Sequence, residues 1–383
     1  MNEKKLQFET ISVRGASGGD SVTGAISYPI YQSTTFKHPE LNKSTGYDYS
    51  RTNNPTREEV ERTICLLEEG TEALAFSTGV AAITACFHLF KPGDHIIVSE
   101  DLYGGTFRLF DDIYSVFGIK YTFVDTTSLD RIKEAITNET KAIFIETPSN
   151  PLMRVSDISA ISYLCKKNKL TLIVDNTFLT PYFQKPLLLG ADIVIHSGTK
   201  FLGGHNDVLS GFLTANDNDI ISKLRVVQNS TGATLSAFDS WLLLRGLKTL
   251  SIRLDKSQEN AILIADYLKR NENIEKVYYV GLEDHEGYDV NSVQSTGYGS
   301  MISFKVKKVS LVAKLLKKLE VISFAESLGG VETLITYPYT QTHVDMPNDL
   351  KQRLGVDERL LRLSVGIENI NDLLDDLKSV LGE

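Results

Sequence analysis

One lysine lies at the centre of the stretch with the clearest chemical potential in this sequence. Lys200 follows the stretch 192–196, whose centre 193–195 is apolar, and Ser197 and Thr199 lie beside it. Apolar runs of this kind are typical of buried strands in parallel sheets, and ligands bind just past the carboxyl ends of such strands. An amine nucleophile beside hydroxyl donors predicts a Schiff-base lysine next to a phosphate site, whereas a surface lysine in a loop is the ordinary alternative for one lysine taken alone.

An acid about 25 residues upstream makes the lysine more informative. Asp175 ends a second apolar run, 171–174. Pyridoxal phosphate enzymes need an aspartate that keeps the pyridine nitrogen of the cofactor protonated, so that the ring acts as an electron sink. Asp175 and Lys200, in this order, therefore predict pyridoxal phosphate as the cofactor.

Further motifs extend the pattern over nearly the whole chain, from Tyr47–Arg51 to Leu363–Gly366. With them the sequence resembles the Cys/Met metabolism family of pyridoxal phosphate enzymes, and among its members the cystathionine γ-synthases most closely. The resemblance implies the α/β fold of aspartate aminotransferase (fold type I). That fold has a large domain around a mostly parallel sheet of seven strands and a smaller C-terminal α/β domain.

The overall composition limits the possible functions. With 383 residues, two domains are expected, and a composition with 42% hydrophobic and 23% charged residues is ordinary for a globular protein. The net charge of -9 argues against nucleic acid as a partner. No apolar run could span a membrane and the start lacks a signal-peptide core, so a cytoplasmic location is expected. Three cysteines without metal-like spacing predict buried free thiols and no metal site: Cys65, Cys86 and Cys165.

The order of elements predicts three parts. Strands and helices alternate after a polar, irregular start, which indicates a parallel sheet with right-handed crossovers. A helix capped by Thr56 should end at Gly70, and a long helix beginning near Ser240 should link the domains. We expect an N-terminal arm over 1–55, a cofactor-binding large domain over 56–240 and a smaller domain over 241–383.

A phosphate-binding turn is expected near Gly79. The stretch 73–82 predicts a strand, a small-residue turn and a helix start, where free backbone N–H groups attract a phosphate. Arginine suits the same task because its planar fork holds a phosphate at two points. The resemblance implies that the phosphate is bound by Gly79, Val80, Ser197 and Thr199 of one subunit and by Tyr49 and Arg51 supplied from a neighbouring subunit.

The resemblance also implies roles around the cofactor ring and the substrate. Tyr103 would lie over the ring and act in catalysis with Lys200 and Asp175, and Asn150 would hydrogen-bond the ring hydroxyl. Arg362 lies in a short apolar strand, where an unpaired charge is expensive, so it is either a structural ion-pair partner or the grip for the carboxylate of an amino acid. The other substrate-binding residues implied are Asp48, Arg108, Glu326, Ser327 (which would orient the lysine) and Thr342.

The same parts serve several reactions, so the reaction itself is a narrower hypothesis. An acid at the position of Glu326 resembles the pattern of γ-synthases and γ-lyases, and Asp48 and Arg108 resemble the pattern of γ-synthases. Gly105 stands where methionine γ-lyases typically carry a cysteine. The stretch 336–343 departs from the commonest family pattern and resembles bacterial members that accept O-acetylhomoserine. We therefore expect γ-replacement of an O-acetyl- or O-succinylhomoserine by cysteine to give cystathionine.

Several alternatives remain open at this point. Within the family they are cystathionine β-lyase, cystathionine γ-lyase and O-acetylhomoserine sulfhydrylase. A transaminase shares the lysine, aspartate and arginine, and a binding protein without cofactor could share the fold. The resemblance further implies a homotetramer built from two dimers, each with two shared sites, acting on small amino-acid substrates.

Overall fold

The computed structural model describes residues 6–344 and 346–382. Within them the chain forms a seven-stranded sheet and a five-stranded sheet, each covered by helices. This is the α/β architecture that the sequence predicts, with a larger, mostly parallel sheet and a smaller one near the C-terminus. The boundaries proposed at residues 55 and 240 stay a prediction.

The large sheet has the order β1-β7-β6-β5-β4-β2-β3, in which β7 runs antiparallel to both neighbours and the remaining pairs are parallel. Strands β2 and β7 are buried along their whole length, and each of the three strands between them has one residue that is not buried, because helices cover both faces of the sheet. The strands are β1 (Glu72–Phe76), β2 (His95–Ser99), β3 (Lys120–Val124), β4 (Thr140–Glu146), β5 (Thr171–Asp175), β6 (Ile193–Ser197) and β7 (Gly211–Ala215).

Helices connect these strands, with a π-helical turn over Leu109–Tyr114 and a 3-10 turn over Pro186–Leu189. They are α2 (Pro55–Glu68), α3 (Gly79–Phe87), α4 (Gly104–Arg108), α5 (Leu129–Ala135), α6 (Ile158–Asn168), α7 (Thr180–Phe183) and α8 (Asn218–Thr231), after α1 (Phe8–Arg14) in the arm.

The cap of α2 differs from the prediction. Asn54 caps this helix, since its side chain accepts hydrogen bonds from the backbone N–H groups of Thr56 and Arg57. Pro55 takes the first helical position, where its missing N–H costs nothing. The Thr56 hydroxyl instead donates to the carbonyl of Pro29, at 2.9 Å, and so holds the arm against the helix.

The arm is less irregular than predicted. The seven residues of α1 form a helix whose Ser12 hydroxyl donates to the carbonyl of Leu247, while Phe8 and Ile11 pack against the core. A helix this short is marginal on its own and shows little periodicity in the sequence. Contacts with distant residues therefore stabilise it.

The smaller sheet has the order β10-β11-β12-β9-β8, antiparallel except between β10 and β11. The long helix predicted from Ser240 is two helices, because the chain leaves helical geometry at Thr249. The elements are α9 (Ala237–Leu247), α10 (Leu250–Arg270), β8 (Ile274–Tyr278), α11 (Tyr288–Gln294), β9 (Met301–Val306), α12 (Ser310–Lys318), β10 (Ser323–Phe324), β11 (Leu334–Thr336), α13 (Asn348–Leu354), β12 (Leu360–Ser364) and α14 (Ile370–Leu381).

The cysteines are free thiols, as predicted, although only two are buried. Burial raises the pKa of Cys165 to about 12. Cys65 is half-buried, and its thiol donates to the carbonyl of Gly70 at 3.1 Å. Across residues 6–344 and 346–382, no helix is long and apolar enough to cross a membrane, and no group of three or more His, Cys, Asp or Glu side chains could hold a metal ion.

Candidate active site

Lys200 follows β6 in a tight turn, in which the backbone N–H of Lys200 donates to the carbonyl of Ser197. Its Nζ atom lies 3.1 Å from the hydroxyl of Ser327, in the segment between β10 and β11. Burial, and after it the charge of Arg362, lower the pKa of Lys200 from 10.5 to about 8, against an opposing effect of the Glu326 charge. A lysine in this state is a nucleophile and a proton carrier near neutral pH.

This pKa predicts how the lysine reacts in the protein free of cofactor. Lys200 should lose half of its reactivity toward an amine-acylating reagent near pH 8, because below that pH the ammonium form predominates. The unfolded chain binds this proton up to about pH 10.5, so the native state should gain stability between pH 8 and pH 10.5. Peptide mapping after brief labelling at each pH measures the reactivity.

The variant Arg362→Leu is the control for that experiment. Removing the guanidinium should move half-reactivity of Lys200 to higher pH, because a neighbouring positive charge disfavours the ammonium. Half-reactivity that stays at pH 10 or above in the unchanged protein would contradict the pKa shift.

Asp175 lies at the carboxyl end of β5, buried, and one oxygen accepts hydrogen bonds from the N–H (3.0 Å) and hydroxyl (2.6 Å) of Thr177. Its register partner on β4 is Glu146, also buried. Burial raises the pKa of both carboxyl groups, and the charge of Asp175 raises that of Glu146 further. Among the described residues, no cationic side chain lies within 4.0 Å of either carboxylate. The site therefore favours a cation here.

The turn into α3 forms a narrow cradle. A Cβ atom on Gly79 would lie 2.8 Å from the Cβ of Ser197, so only glycine fits without a shift of the β6 end. Thr78 caps the helix by accepting from the N–H of Ala81, and the amides of Gly79 and Val80 begin the helix. Helix N-termini of this kind attract phosphate.

The two hydroxyls predicted at this cradle have different surroundings. Ser197 faces Gly79, and its backbone N–H donates to the hydroxyl of Thr177, which links the cradle to Asp175. The Thr199 hydroxyl donates to the carbonyl of Ser210 at 3.2 Å and accepts from its N–H at 3.0 Å. Thr199 thus braces the lysine turn in this structure.

Arg362, in β12, is 1% exposed. Its guanidinium donates to Asn150 Oδ1 (2.7 Å), to the carbonyl of Ser327 (3.0 Å) and to the hydroxyl of Thr336 (3.3 Å), while Nε is buried without a partner. No carboxylate of the described residues lies within 4.0 Å of it. The structural ion pair is therefore absent from the described part of the chain. A buried, uncompensated guanidinium favours an anionic ligand.

His343 supports this arginine indirectly. Its Nε2 atom lies 3.0 Å from the carbonyl of Asn150, and Nδ1 lies 2.8 Å from the hydroxyl of Thr342. Burial lowers the pKa of His343 to about 4, so the ring is neutral and must donate to the carbonyl. Because Arg362 can only donate, the amide oxygen of Asn150 faces it and the amide nitrogen remains as a donor for another acceptor.

Tyr103 immediately precedes the short helix α4; the residue is 40% exposed, and its backbone N–H donates to Glu146 at 3.1 Å. A Cβ on Gly105 would strike the Tyr103 ring, and a Cβ on Gly104 would strike the carbonyl of Thr342. The two glycines thus let the ring fold back on its own turn and let the turn touch the segment after β11.

The remaining predicted residues lie at the exterior of the described chain. Arg108 and Glu326 are exposed, and the charge of Glu326 acts on both Lys200 and Arg362. In the arm, the Ser44 hydroxyl donates to Asp48 at 2.6 Å. Tyr49 and Arg51 lie on the same arm, where Arg51 donates to Asn229 Oδ1 at 2.8 Å and covers the Tyr49 ring at 5.6 Å. Their contact with a neighbouring subunit stays a prediction.

Sequence reasoning missed four residues at the site: Glu146, Thr177, Thr336 and His343. Two of them carry a recognisable signal. Thr177 follows an aspartate by two positions, a spacing typical of turns in which the acid accepts local hydrogen bonds. Glu146 ends an apolar strand, as Asp175 does. The sequence carries no comparable signal for Thr336 or His343, because their partners are distant in the chain.

These features fit pyridoxal phosphate. The glycine cradle at Gly79 accommodates a phosphate, the uncompensated Asp175 a protonated ring nitrogen, and the amide nitrogen of Asn150 a ring oxygen. Lys200 would supply the amine for the aldehyde, and Arg362 would remain for a substrate anion. Each group of the cofactor thus has a residue of matching chemistry.

Ser327 connects the lysine and the arginine. Its backbone φ of 90° is one that residues other than glycine rarely adopt. Ser327→Ala removes the hydroxyl near Lys200 but keeps the strain, whereas Ser327→Gly removes both. We expect both variants to lose about tenfold in turnover, since a single hydrogen bond at a charged group contributes roughly 1.5 kcal/mol. The glycine variant should be more stable than the alanine variant by about 1 kcal/mol.

Urea unfolding monitored by circular dichroism measures that difference, and steady-state assays measure the turnover. Equal stability of the two variants would show that the backbone of Ser327 is relaxed. Full turnover in Ser327→Ala would show that the hydroxyl does not orient Lys200.

The chain is similar to known proteins over nearly its whole length. The family model described as Cys/Met metabolism PLP-dependent enzyme matches residues 9–382. The chain is 49% identical over 373 residues to a cystathionine γ-synthase/O-acetylhomoserine (thiol)-lyase of Bacillus subtilis (strain 168), covering 97% of this chain and 96% of that one. It is 47% identical over 374 residues to a cystathionine β-lyase of Lactococcus lactis subsp. cremoris (strain MG1363), covering 98% of both. The crystal structure of a cystathionine γ-lyase from Lactobacillus plantarum complexed with L-serine superposes with a TM-score of 0.95 at 43% identity, covering 98% of this chain and 99% of that one.

Proposed function

Because the chain belongs to the family of Cys/Met metabolism PLP-dependent enzymes, we propose that it catalyses γ-replacement, joining an O-acylhomoserine to cysteine to give cystathionine. The family match confirms two predictions made from the sequence: the use of pyridoxal phosphate and the assignment to trans-sulfuration. The choice among synthase and lyase reactions is the part that needs an argument from the site.

The observation that carries the proposal is the link between Arg362 and Lys200. Ser327 accepts from the guanidinium through its carbonyl, at 3.0 Å, and lies 3.1 Å from Nζ through its hydroxyl. A single residue, Ser327, therefore connects the guanidinium that would bind an anion to the amine of Lys200. An α-amino acid, with a carboxylate next to the carbon that must lose a proton, matches that arrangement.

When bound, pyridoxal phosphate supplies an electron sink for the bond that breaks next to the amino group. The chain's own residues then divide the remaining work. Asp175 would hold the ring nitrogen protonated, Arg362 would orient the carboxylate, and Lys200 would move protons at the α-carbon and afterwards at the β-carbon. Tyr103 would cover the ring and limit access of water.

Glu326 supports γ-replacement over reactions at the β-carbon alone. Chemistry at the γ-carbon requires proton transfer at two successive carbons, so the amine must take up and release a proton repeatedly. The Glu326 charge raises the pKa of Lys200 and thereby offsets part of the effect of burial. Such a balance keeps both protonation states of the lysine accessible near working pH.

The β-lyase and γ-lyase reactions form the second candidate. A relative named cystathionine γ-lyase, from Bacillus subtilis (strain 168), is 46% identical, close to the values for the γ-synthase and β-lyase relatives. Overall identity therefore does not separate the reactions.

One set of parallel assays separates them. The purified holoenzyme is incubated with O-acetylhomoserine and cysteine, with O-succinylhomoserine and cysteine, and with cystathionine alone. The proposal predicts cystathionine from one of the acylhomoserines. Pyruvate released from cystathionine without any condensation product would establish a β-lyase, and 2-oxobutyrate from cystathionine would favour a γ-lyase.

We also propose a homotetramer of two dimers in the cytoplasm. The exposed apolar side chains of the arm support an assembly, because Val22, Ile26 and Leu41 are each more than four-fifths exposed in the single chain. The three free thiols support a reducing compartment. Equilibrium sedimentation of the holoenzyme measures the state of assembly.

A further inference from the structure

Glu146 has a place in the site that the reaction described above leaves unused. It ends β4 with a buried side chain. Its Oε2 accepts the backbone N–H of Tyr103 at 3.1 Å, and its Oε1 accepts the backbone N–H of Asn150 at 2.9 Å. One carboxylate thus joins the turn that carries the ring-covering tyrosine to the loop that carries the arginine's partner.

The connection continues to the substrate side. Asn150 Oδ1 accepts from Arg362 at 2.7 Å, and its carbonyl accepts from His343 at 3.0 Å. A shift of the Asn150 backbone would therefore move the guanidinium. A shift at the other end would move Tyr103 relative to the ring.

A carboxylate is a costly choice for this place. Glu146 is buried directly beside Asp175 on the next strand, and two like charges in a site of low dielectric repel. The charge of Glu146 in turn raises the pKa of Arg362. The charge therefore acts on the arginine through space while the two oxygens act on the backbone.

We propose that Glu146 is a positioning residue that fixes the Tyr103 turn to the Asn150–Arg362 pair, so that binding of the substrate carboxylate and covering of the cofactor ring occur in one geometry. The inference rests on the proposed use of Arg362 as the carboxylate grip. It assigns no proton transfer to Glu146.

The variant Glu146→Gln tests the inference. A glutamine amide keeps the shape but can accept only one of the two N–H groups, and its NH2 group faces the other donor. L-Alanine is the probe, because it carries an α-carboxylate and no leaving group. Titration followed by the absorbance of the bound cofactor should show a dissociation constant about tenfold higher than for the unchanged protein. Circular dichroism of the cofactor band should change as well, because the ring loses a fixed cover.

Glu100→Gln is the matched control. Glu100 is equally buried near the same sheet edge, but it pairs with Arg154 (3.2 Å) and Arg353 (2.8 Å) instead of the site residues. This variant should bind L-alanine as the unchanged protein does and keep its cofactor dichroism. Equal weakening in both variants would mean a general loss of stability and would overturn the proposal.

Two further outcomes are decisive. If Glu146→Gln does not fold, Glu146→Asp keeps the charge but cannot reach both amides, and it should weaken L-alanine binding while cofactor remains bound. Binding at the unchanged affinity in whichever variant folds would overturn the positioning role. A lack of any response to L-alanine in the unchanged holoenzyme would instead contradict the proposed function, so the two failures are distinguishable.

Discussion

Lys200→Ala is expected to lower turnover by about 10⁴-fold, the upper part of the range for loss of a general acid–base group, because in the proposed function the same amine also attaches the cofactor. Its Nζ atom is the basic nitrogen held beside Ser327 at 3.1 Å, and burial lowers its pKa to about 8. Steady-state turnover and the absorbance of bound cofactor together measure the effect.

The attachment has its own control. Borohydride reduction of the unchanged holoenzyme, followed by peptide mapping, should place the cofactor label on Lys200. Lys256→Ala changes a partly exposed lysine of α10 that pairs with Glu259, and it should keep full turnover. A label on any other lysine would refute the role given to Lys200.

The same variant tests whether the site is shared between subunits. Chains carrying Lys200→Ala are mixed with chains carrying Arg51→Ala, and the assembly is allowed to exchange. If Arg51 serves a neighbouring subunit, hybrid dimers contain one site with both residues, and activity should reappear. Mixtures as inactive as their parents would mean that each subunit completes its own site.

Arg362→Leu is expected to lower kcat/KM by about 10²- to 10³-fold, because a buried, hydrogen-bonded charge contributes roughly 2–5 kcal/mol to binding its partner. The loss should appear mainly in KM, with a parallel rise in the dissociation constant for L-alanine. The guanidinium is 1% exposed and has an unpartnered Nε atom, so it has hydrogen-bonding capacity for a ligand.

Two variants bracket this prediction. Arg362→Lys keeps the charge without the planar fork and should lose at least half of the binding free energy that Arg362→Leu loses. Arg359→Leu removes an arginine just before β12 that pairs with Asp357 and Glu275, and it should leave kcat/KM unchanged. An Arg359→Leu variant as defective as Arg362→Leu would assign the loss to the strand instead of the carboxylate grip.

Part of this molecule could be predicted from the sequence because it is local. The apolar runs before Asp175 and Lys200 are strands β5 and β6, since buried parallel strands need side chains that are apolar on both faces. The residues just past such strands meet at one edge of the sheet, so the acid and the lysine come together by topology. The glycine at position 79 indicates that two backbone segments come close together, at a place where a side chain would not fit.

Other local rules failed where two signals competed. Thr56 has the right chemistry for a cap, but Pro55 fits the first helical position, so Asn54 takes the cap. The seven residues of α1 are too few to show a period, and the long helix expected from Ser240 is interrupted at Thr249.

The electrostatic state of the site was decided by the tertiary structure. Ser327 lies 127 positions from Lys200, and Asn150 lies 212 positions from Arg362, so no local pattern encodes either contact. Likewise, the sequence places Glu146 at a strand end, but only the register of β4 and β5 sets it beside Asp175. The sequence determines which residue types are present. Burial and the distances between charges set each pKa, and these exist only after folding.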